Sequence, residues 1–186
     1  MSSGNFRTDL TTFNNRWYKA GPFFKRTIWY FINAWIIDSW LPSSSIRIKL
    51  LSLFGAKIGH GVIIKPRVNI KYPWNLKVGE NCWIGEGAWI DNLAEVEIGN
   101  NCCISQGALL LCGNHDYKKS TFDLIIGNIV LEDGVWIGAK STVCPGTICR
   151  SHAVLSAGSV ASKELNEYSV YQGNPAVFIR KREMTA

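Results

Sequence analysis

The six cysteines, at 82, 102, 103, 112, 144 and 149, include no CxxC pair and no zinc-ligand spacing. That absence argues against a thiolate metal site and a disulfide framework, and leaves reduced thiols serving as small core residues in a cytoplasm. No apolar run reaches the roughly 18 to 20 residues needed to cross a bilayer. The longest, Thr27 to Leu41, is interrupted by Asn33 and Asp38. The start, Met1 to Asp9, is polar and lacks the basic-then-apolar layout of a secretory signal, so a cytoplasmic location is expected. Only 18% of the residues are charged, while 47% are hydrophobic, which excludes a disordered chain. The net charge of +6 suits an anionic ligand or surface. The basic residues lack the tight clustering with interleaved aromatics of a nucleic-acid groove, so no nucleic-acid partner is expected. The three histidines, at 60, 115 and 152, are too scattered to converge on a metal ion.

What the chain does contain is a repeat. From Ile58 an aliphatic recurs every six residues: Ile58, Ile64, Ile70; Val78, Ile84, Ile90; Ile98, Ile104, Leu110. After a gap follow Leu131, Ile137, Val143, Cys149 and Leu155, and Cys149 alone is not Ile, Leu or Val. Four residues after each of these fourteen stands a small residue in twelve cases, the departures being Trp74 and Asn114. Three residues after, Gly or Asn fills nine of fourteen positions, marking a corner where the chain takes positive φ.

A period of six with one large and one small inward residue describes a short strand followed by a sharp corner. Three such strands make a triangular coil of about eighteen residues, and coils stack at the usual strand spacing of about 4.8 Å. The steps from Ile58 to Val78 and from Val78 to Ile98 are twenty residues, so these coils carry two extra residues at one corner. The predicted fold is an all-β solenoid with covered ends. Residues 1–53 form an aromatic-rich, helical capping segment, 54–163 the repeat domain, and 164–186 a C-terminal cap and tail. Trp29, Tyr30, Trp35 and Trp40 of the first segment allow two readings, a helix packed on the solenoid or an interfacial helix touching the inner membrane.

Function is expected where the pattern fails. Between Leu110 and Leu131 the register is lost, and a loop at about 111–128 must be extruded. It holds His115, flanked by Asn114, Asp116 and Tyr117, whereas His60 and His152 fall inside regular hexads as solvent-facing structural residues. An imidazole at the edge of such a loop is the candidate general base.

These columns resemble the hexapeptide-repeat left-handed parallel β-helix, and the resemblance covers about Phe54 to Arg182. The stretch Asn114-His115-Asp116-Tyr117 with its extruded loop is similar to the catalytic stretch of galactoside, maltose and nodulation-factor acetyltransferases. The chain as a whole more closely resembles acetyltransferases of exopolysaccharide (colanic-acid type) biosynthesis. The matching segments include Leu53-Phe-Gly-Ala-Lys-Ile-Gly59, Tyr72-Pro-Trp-Asn-Leu76, Trp89-Ile-Asp-Asn92, Val135-Trp-Ile-Gly-Ala139 and Gly173-Asn-Pro-Ala176. The resemblance implies transfer of acetyl from acetyl-coenzyme A to a sugar hydroxyl in a ternary complex, without a metal. His115 would be the base, and the backbone N–H of Ala139 the oxyanion donor. Trp136, Ala139 and Ala157 would line the pantetheine arm, with Lys163 and Arg180 at the phosphates. Asp91, Asn92 and Asn114 would contact the acceptor, a free, lipid-linked or polymeric saccharide, though Asp91 and Asn92 could equally stabilise a corner. A homotrimer with sites between subunits is implied as well.

Other readings remain open. A non-catalytic β-helix scaffold would bind no coenzyme A, and an amino-sugar N-acetyltransferase would use the same base on an amine. A γ-type carbonic anhydrase is disfavoured by the scattered histidines. A serine acetyltransferase is disfavoured by the short non-repeat part. Gly134 to Ser141 reads GVWIGAKS, but its position inside regular hexads rules out a phosphate-binding loop.

Overall fold

Six-residue steps place the aliphatic column on three flat faces, because each two- or three-residue strand ends in a corner that turns the chain by about a third of a circle. The computed structural model describes residues 7–185. The first face stacks Lys57–Ile58, Leu76–Val78, Val96–Ile98, Ile129–Leu131 and Ile148–Cys149, all parallel. The second stacks Ile63–Ile64, Trp83–Ile84, Cys103–Ile104, Trp136–Ile137, Val154–Leu155 and Ser169–Gly173, and Ala176–Lys181 returns antiparallel at its end. The third stacks Asn69–Ile70, Trp89–Asp91, Leu109–Leu111, Thr142–Val143 and Val160–Ala161.

Register pairing is strict, so like sits on like: Ile64, Ile84, Ile104, Ile137 and Leu155 form one buried row. Of the fourteen aliphatic-column residues only Ile58, in the first coil, is less than fully buried. Each buried side chain of this size contributes about 1.5–3 kcal/mol. The narrow prism leaves no room for Cβ atoms at some corners. A Cβ on Gly79 would come 2.7 Å from the carbonyl carbon of Gly99 in the next coil.

Eleven of the fourteen corner positions have positive φ: Gly61, Arg67, Asn81, Gly87, Asn101, Gly107, Gly134, Lys140, Gly146, His152 and Gly158. The three that do not are Pro73, Leu93 and Gly113. All three lie on the corner between the third and first faces, in the coils that carry inserted residues.

Two helices close the first coil, α1 (Phe23–Ile32) and α2 (Ser44–Leu53), joined through a π-turn at Asn33–Ile37. They bury Trp29, Ile37 and Leu51 against the core and satisfy the polar edge of the coil. Trp29 Nε1 donates to the Ile70 carbonyl at 2.8 Å, Ile64 N donates to Ser44 Oγ at 2.9 Å, and Arg67 N donates to the Ser39 carbonyl at 3.0 Å. Arg47, fully buried, donates to the carbonyls of Ile37, Ser39 and Ser43 and so fixes the turn between the helices. The stretch from Arg16 to Ala20, expected in the cap, instead runs down the side of the prism. Tyr18 anchors it there by donating its hydroxyl to the Leu93 carbonyl at 2.7 Å. At the other end Leu165, Tyr171 and the Ala176–Lys181 strand cover the last coil. Among the described residues no helix is long and apolar enough to cross a membrane.

Candidate active site

The inserted residues of three successive coils stack on one corner. In the first they form a 3-10 turn at Pro73–Asn75, and in the second a bend at Leu93–Ala94. In the third they grow into a whole hairpin. Instead of an irregular loop, Gly113–His115 pairs antiparallel with Leu124–Ile126, with His115 opposite Leu124. Hydrogen bonds tie the stack together. Cys112 N donates to the Asp91 carbonyl at 3.2 Å, Gly127 N to the Cys112 carbonyl at 2.9 Å, and Ile129 N to the Glu95 carbonyl at 3.0 Å.

Asn92 belongs to this scaffold. It is fully buried, its Oδ1 accepts from Tyr72 N at 2.9 Å, and its Nδ2 donates to the Tyr72 carbonyl at 2.6 Å. With both ends of the amide bonded to one backbone, Asn92 holds the corner, the second of the two readings its place in the sequence allowed. Asp91, 7% exposed, reaches Lys71 Nζ at 2.8 Å. Asn114 turns its Oδ1 to the N–H of His115 at 2.8 Å.

His115 is held from three sides. Its Nδ1 lies 2.9 Å from the carbonyl oxygen of Phe122. A carbonyl only accepts, so Nδ1 carries a proton, and in the neutral ring Nε2 is the nitrogen that bears the lone pair. The Phe122 ring stacks on the imidazole, 4.3 Å between centroids and 8° from parallel, and Phe13 packs at 5.6 Å from the N-terminal strap. Phe122 has φ of +52°, a conformation that costs a non-glycine residue about 1–2 kcal/mol and here turns its carbonyl toward the histidine.

A cleft of about 510 Å³ opens beside His115. Phe13, Arg16 and Tyr18 form one wall, Arg26 of α1 a second, and Lys71 and Leu93 of the inserted corner a third. Burial pushes the Tyr18 phenol well above its ordinary pKa, with Tyr72 and Asp91 adding to the effect, so Tyr18 remains a donor. These lining residues were not identified from sequence. They come from segments far apart in the chain, 75 positions in the Tyr18–Leu93 bond, and nothing local marks such a contact.

The other expected residues lie on a different edge. Ala139 and Ala157 follow strands of the second face and stack on the corner leading to the third, where Gly158 N donates to the Ala139 carbonyl at 2.9 Å. Trp136, half exposed beside them, donates its Nε1 to Ser105 Oγ at 2.9 Å. The Ala139 N–H has no acceptor among the described residues. Lys163 follows the last strand of the third face, and Arg180 lies in the Ala176–Lys181 strand; both are exposed. Within one chain, therefore, the third face separates His115 from Ala139 and Ala157. His60 is exposed, and His152 is half-buried against Tyr168 at 4.6 Å. Among the described residues no group of three or more ligating side chains is placed to hold a metal ion.

The filled prism of stacked hexads carries one histidine hairpin on one corner and the Ala139 and Ala157 edge on another. The chain is 36% identical over 180 residues, 95% of its length and 98% of the relative's, to a protein of Escherichia coli (strain K12) named as the colanic acid biosynthesis acetyltransferase WcaF. Among solved structures it superposes on the hexapeptide-repeat acetyltransferase VCA0836 of Vibrio cholerae, itself in complex with acetyl-coenzyme A. The TM-score there is 0.77 at 21% identity, covering 86% of this chain and 88% of that one. A maltose O-acetyltransferase of Clostridium difficile 630 gives 0.72 at 22% identity, covering 86% and 87%. No protein-family profile matches the chain. The chain belongs to the hexapeptide-repeat acetyltransferases of the colanic acid biosynthesis type.

Proposed function

We propose that the protein transfers acetyl from acetyl-coenzyme A to a hydroxyl of a saccharide, with His115 as general base. The observation that carries this reading is the pairing of His115 Nδ1 with the Phe122 carbonyl at the mouth of a sugar-sized cleft. That bond fixes the neutral tautomer with Nε2 as the basic nitrogen. Nε2 takes the proton of the acceptor hydroxyl as its oxygen attacks the thioester carbonyl. The tetrahedral intermediate then collapses, expelling the thiolate, which recovers the proton from the imidazolium. The N–H of Ala139 stabilises the oxyanion, a contribution usually worth about 3–4 kcal/mol. Trp136 and Ala157 flank the pantetheine arm, and Lys163 and Arg180 meet the phosphates of coenzyme A. Asp91 and Asn114 remain the acceptor contacts among those read from sequence.

Because His115 and Ala139 sit on different edges of one prism, a complete site takes the histidine of one copy and the Ala139 edge of another. A cytoplasmic homotrimer meets that requirement three times over. The outward row Ile63, Trp83, Cys103 and Trp136 on the second face, with both tryptophans about half exposed, supports packing of prisms side by side. The aromatic surface of α1 and the π-turn, where Phe24 and Trp35 are each more than 70% exposed, supports peripheral contact with a membrane.

Mass spectrometry on a panel of mono-, oligo- and nucleotide-linked sugars incubated with acetyl-coenzyme A tests the reaction. One sugar class should gain an acetyl group, and the product should be labile to hydroxylamine as an ester is and an amide is not. Coenzyme A binding without transfer to any member would count against a free-sugar acceptor. Neither binding nor transfer would favour a scaffold.

A further inference from the structure

The cleft beside His115 carries far more positive than negative charge. Arg16, Arg26 and Lys71 line it, and the carboxylate that meets any of them is Asp91, 2.8 Å from Lys71. Among the described residues Arg16 and Arg26 make no ion pair. The other acids nearby are engaged elsewhere: Asp123 pairs with Lys119 at 2.8 Å, Asp116 accepts from Lys118 N, and Asp9 accepts from Thr11. Arg26 is the informative member. Its Nε is buried and makes no hydrogen bond among the described residues, and a buried donor without a partner is costly enough that proteins rarely keep one idle. Guanidinium also matches carboxylate and phosphate with two parallel donors, which an ammonium does not.

A second cavity, of about 560 Å³, lies between α1 and the third face and is lined by Thr27, Tyr30, Phe31 and Trp89. Arg26, Lys71 and Tyr72 line both cavities. The two cations therefore stand at a junction, with the histidine compartment on one side and an aromatic compartment on the other. A ligand that reaches across must pass its polar atoms over Arg26 and Lys71.

We infer that the acceptor is an anionic saccharide, and that Arg26, with Lys71 and Arg16, binds an acidic group on it (a uronate carboxylate or a phosphate ester) close to the hydroxyl presented to His115. This rests on the transfer reading above for what happens next, but the recognition step stands on the cleft alone. Arg26 is then a specificity-determining residue, selecting charged over neutral sugars through charge-assisted hydrogen bonds in a partly enclosed site. Asp91 pairs with Lys71 at 2.8 Å and leaves Arg16 and Arg26 free of a carboxylate among the described residues.

The test is equilibrium binding to the full chain with bound coenzyme A, by calorimetry, using methyl β-D-glucuronide, glucose 1-phosphate and the neutral methyl β-D-glucoside. One or both anions should bind at least about tenfold more tightly than the neutral glycoside, and the two anions separate a carboxylate site from a phosphate site. Arg26→Gln should reduce anion affinity by about 10- to 100-fold and bring the anion-to-neutral ratio toward one, while Arg26→Lys should restore part of it. The advantage should shrink in 0.5 M salt. Equal affinity for charged and neutral glycosides, no anion binding while coenzyme A still binds, or an unchanged ratio in a folded Arg26→Gln protein would each overturn the inference. Turnover is not read here, so failed acetyl transfer with anion selectivity intact counts against the transfer reading alone.

Discussion

The imidazole of His115 lies flat on the ring of Phe122 while its Nδ1 donates to the carbonyl of that same residue, so one side chain and its backbone together fix both plane and tautomer. The arrangement depends on Phe122 holding φ at +52°.

His115→Ala should lower kcat by roughly 10²- to 10⁴-fold, because it deletes the base and leaves the prism untouched. Circular dichroism and acetyl-coenzyme A binding should stay close to wild type. Near-normal turnover in a folded variant would remove His115 from the reaction.

Phe122→Val is expected to act through the histidine. A β-branched residue resists positive φ, so the carbonyl turns away and the stacking partner is lost. Turnover should fall by about tenfold or more at an unchanged KM for acetyl-coenzyme A. Phe122→Gly, which tolerates that φ, should recover part of the loss. Equal losses in the two variants would assign Phe122 to packing only.

Two inactive proteins should complement each other if the site is shared. Ala157 is exposed, so Ala157→Trp can block the pantetheine edge without disturbing the core. Unfolding and refolding it together with His115→Ala would yield mixed trimers, some containing one intact site. Recovery of up to about a third of wild-type activity is expected, since a trimer with both variants offers at most one such junction. No recovery from verified mixed trimers would mean that each chain builds its own site.

Corner geometry makes stability predictions of opposite sign. Gly134 has φ of +70° and a Cβ there would overlap the His152 imidazole, so Gly134→Ala should cost about 2 kcal/mol or more. Lys140 holds φ of +55° with an exposed side chain, and Lys140→Gly should be neutral or stabilising by up to about 1 kcal/mol. Thermal unfolding of both variants reads this directly; a stabilised Gly134→Ala would contradict the corner description.

Acid stability should depend in part on Glu132. The Arg150 guanidinium at 3.0 Å, with Ser151 N and Oγ, holds its carboxyl below the ordinary range. A depressed folded pKa contributes stability that is present above the unfolded value, about 4.3, and lost as pH falls through the lower folded value. Because Arg150 and Glu132 are about one-third or more exposed, the effect should stay below about 1 kcal/mol. Glu132→Gln should therefore lower Tm slightly at pH 7 and match wild type near pH 3. A constant difference across that range would exclude ionisation as the cause.

Much of the architecture was legible because a prism this narrow tolerates few residue types. The aliphatic column must fill it, and a small residue must follow at each corner. Gly and Asn announced eight of the eleven positive-φ corners, and Arg67, Lys140 and His152 adopt the same conformation without announcing it. There the stack above and below imposes the turn and the residue bears the strain. His115 was visible because its hairpin breaks the period. Asn92 stayed open between two readings because a polar residue at a corner looks the same whether it faces a ligand or, as here, the backbone of Tyr72.

The sequence by itself determined the six-residue step, the three faces, the filled core and the coil from which the histidine departs, since these follow from short-range alternation repeated in register. Only the tertiary structure decided that the third insertion folds as a hairpin, that the strap from Phe13 to Ala20 runs down to that corner, and that Arg16, Arg26 and Lys71 meet around His115. Those contacts join residues far apart in the chain through single hydrogen bonds and side-chain packing, and no periodic pattern records where a non-repeating segment will find its partner.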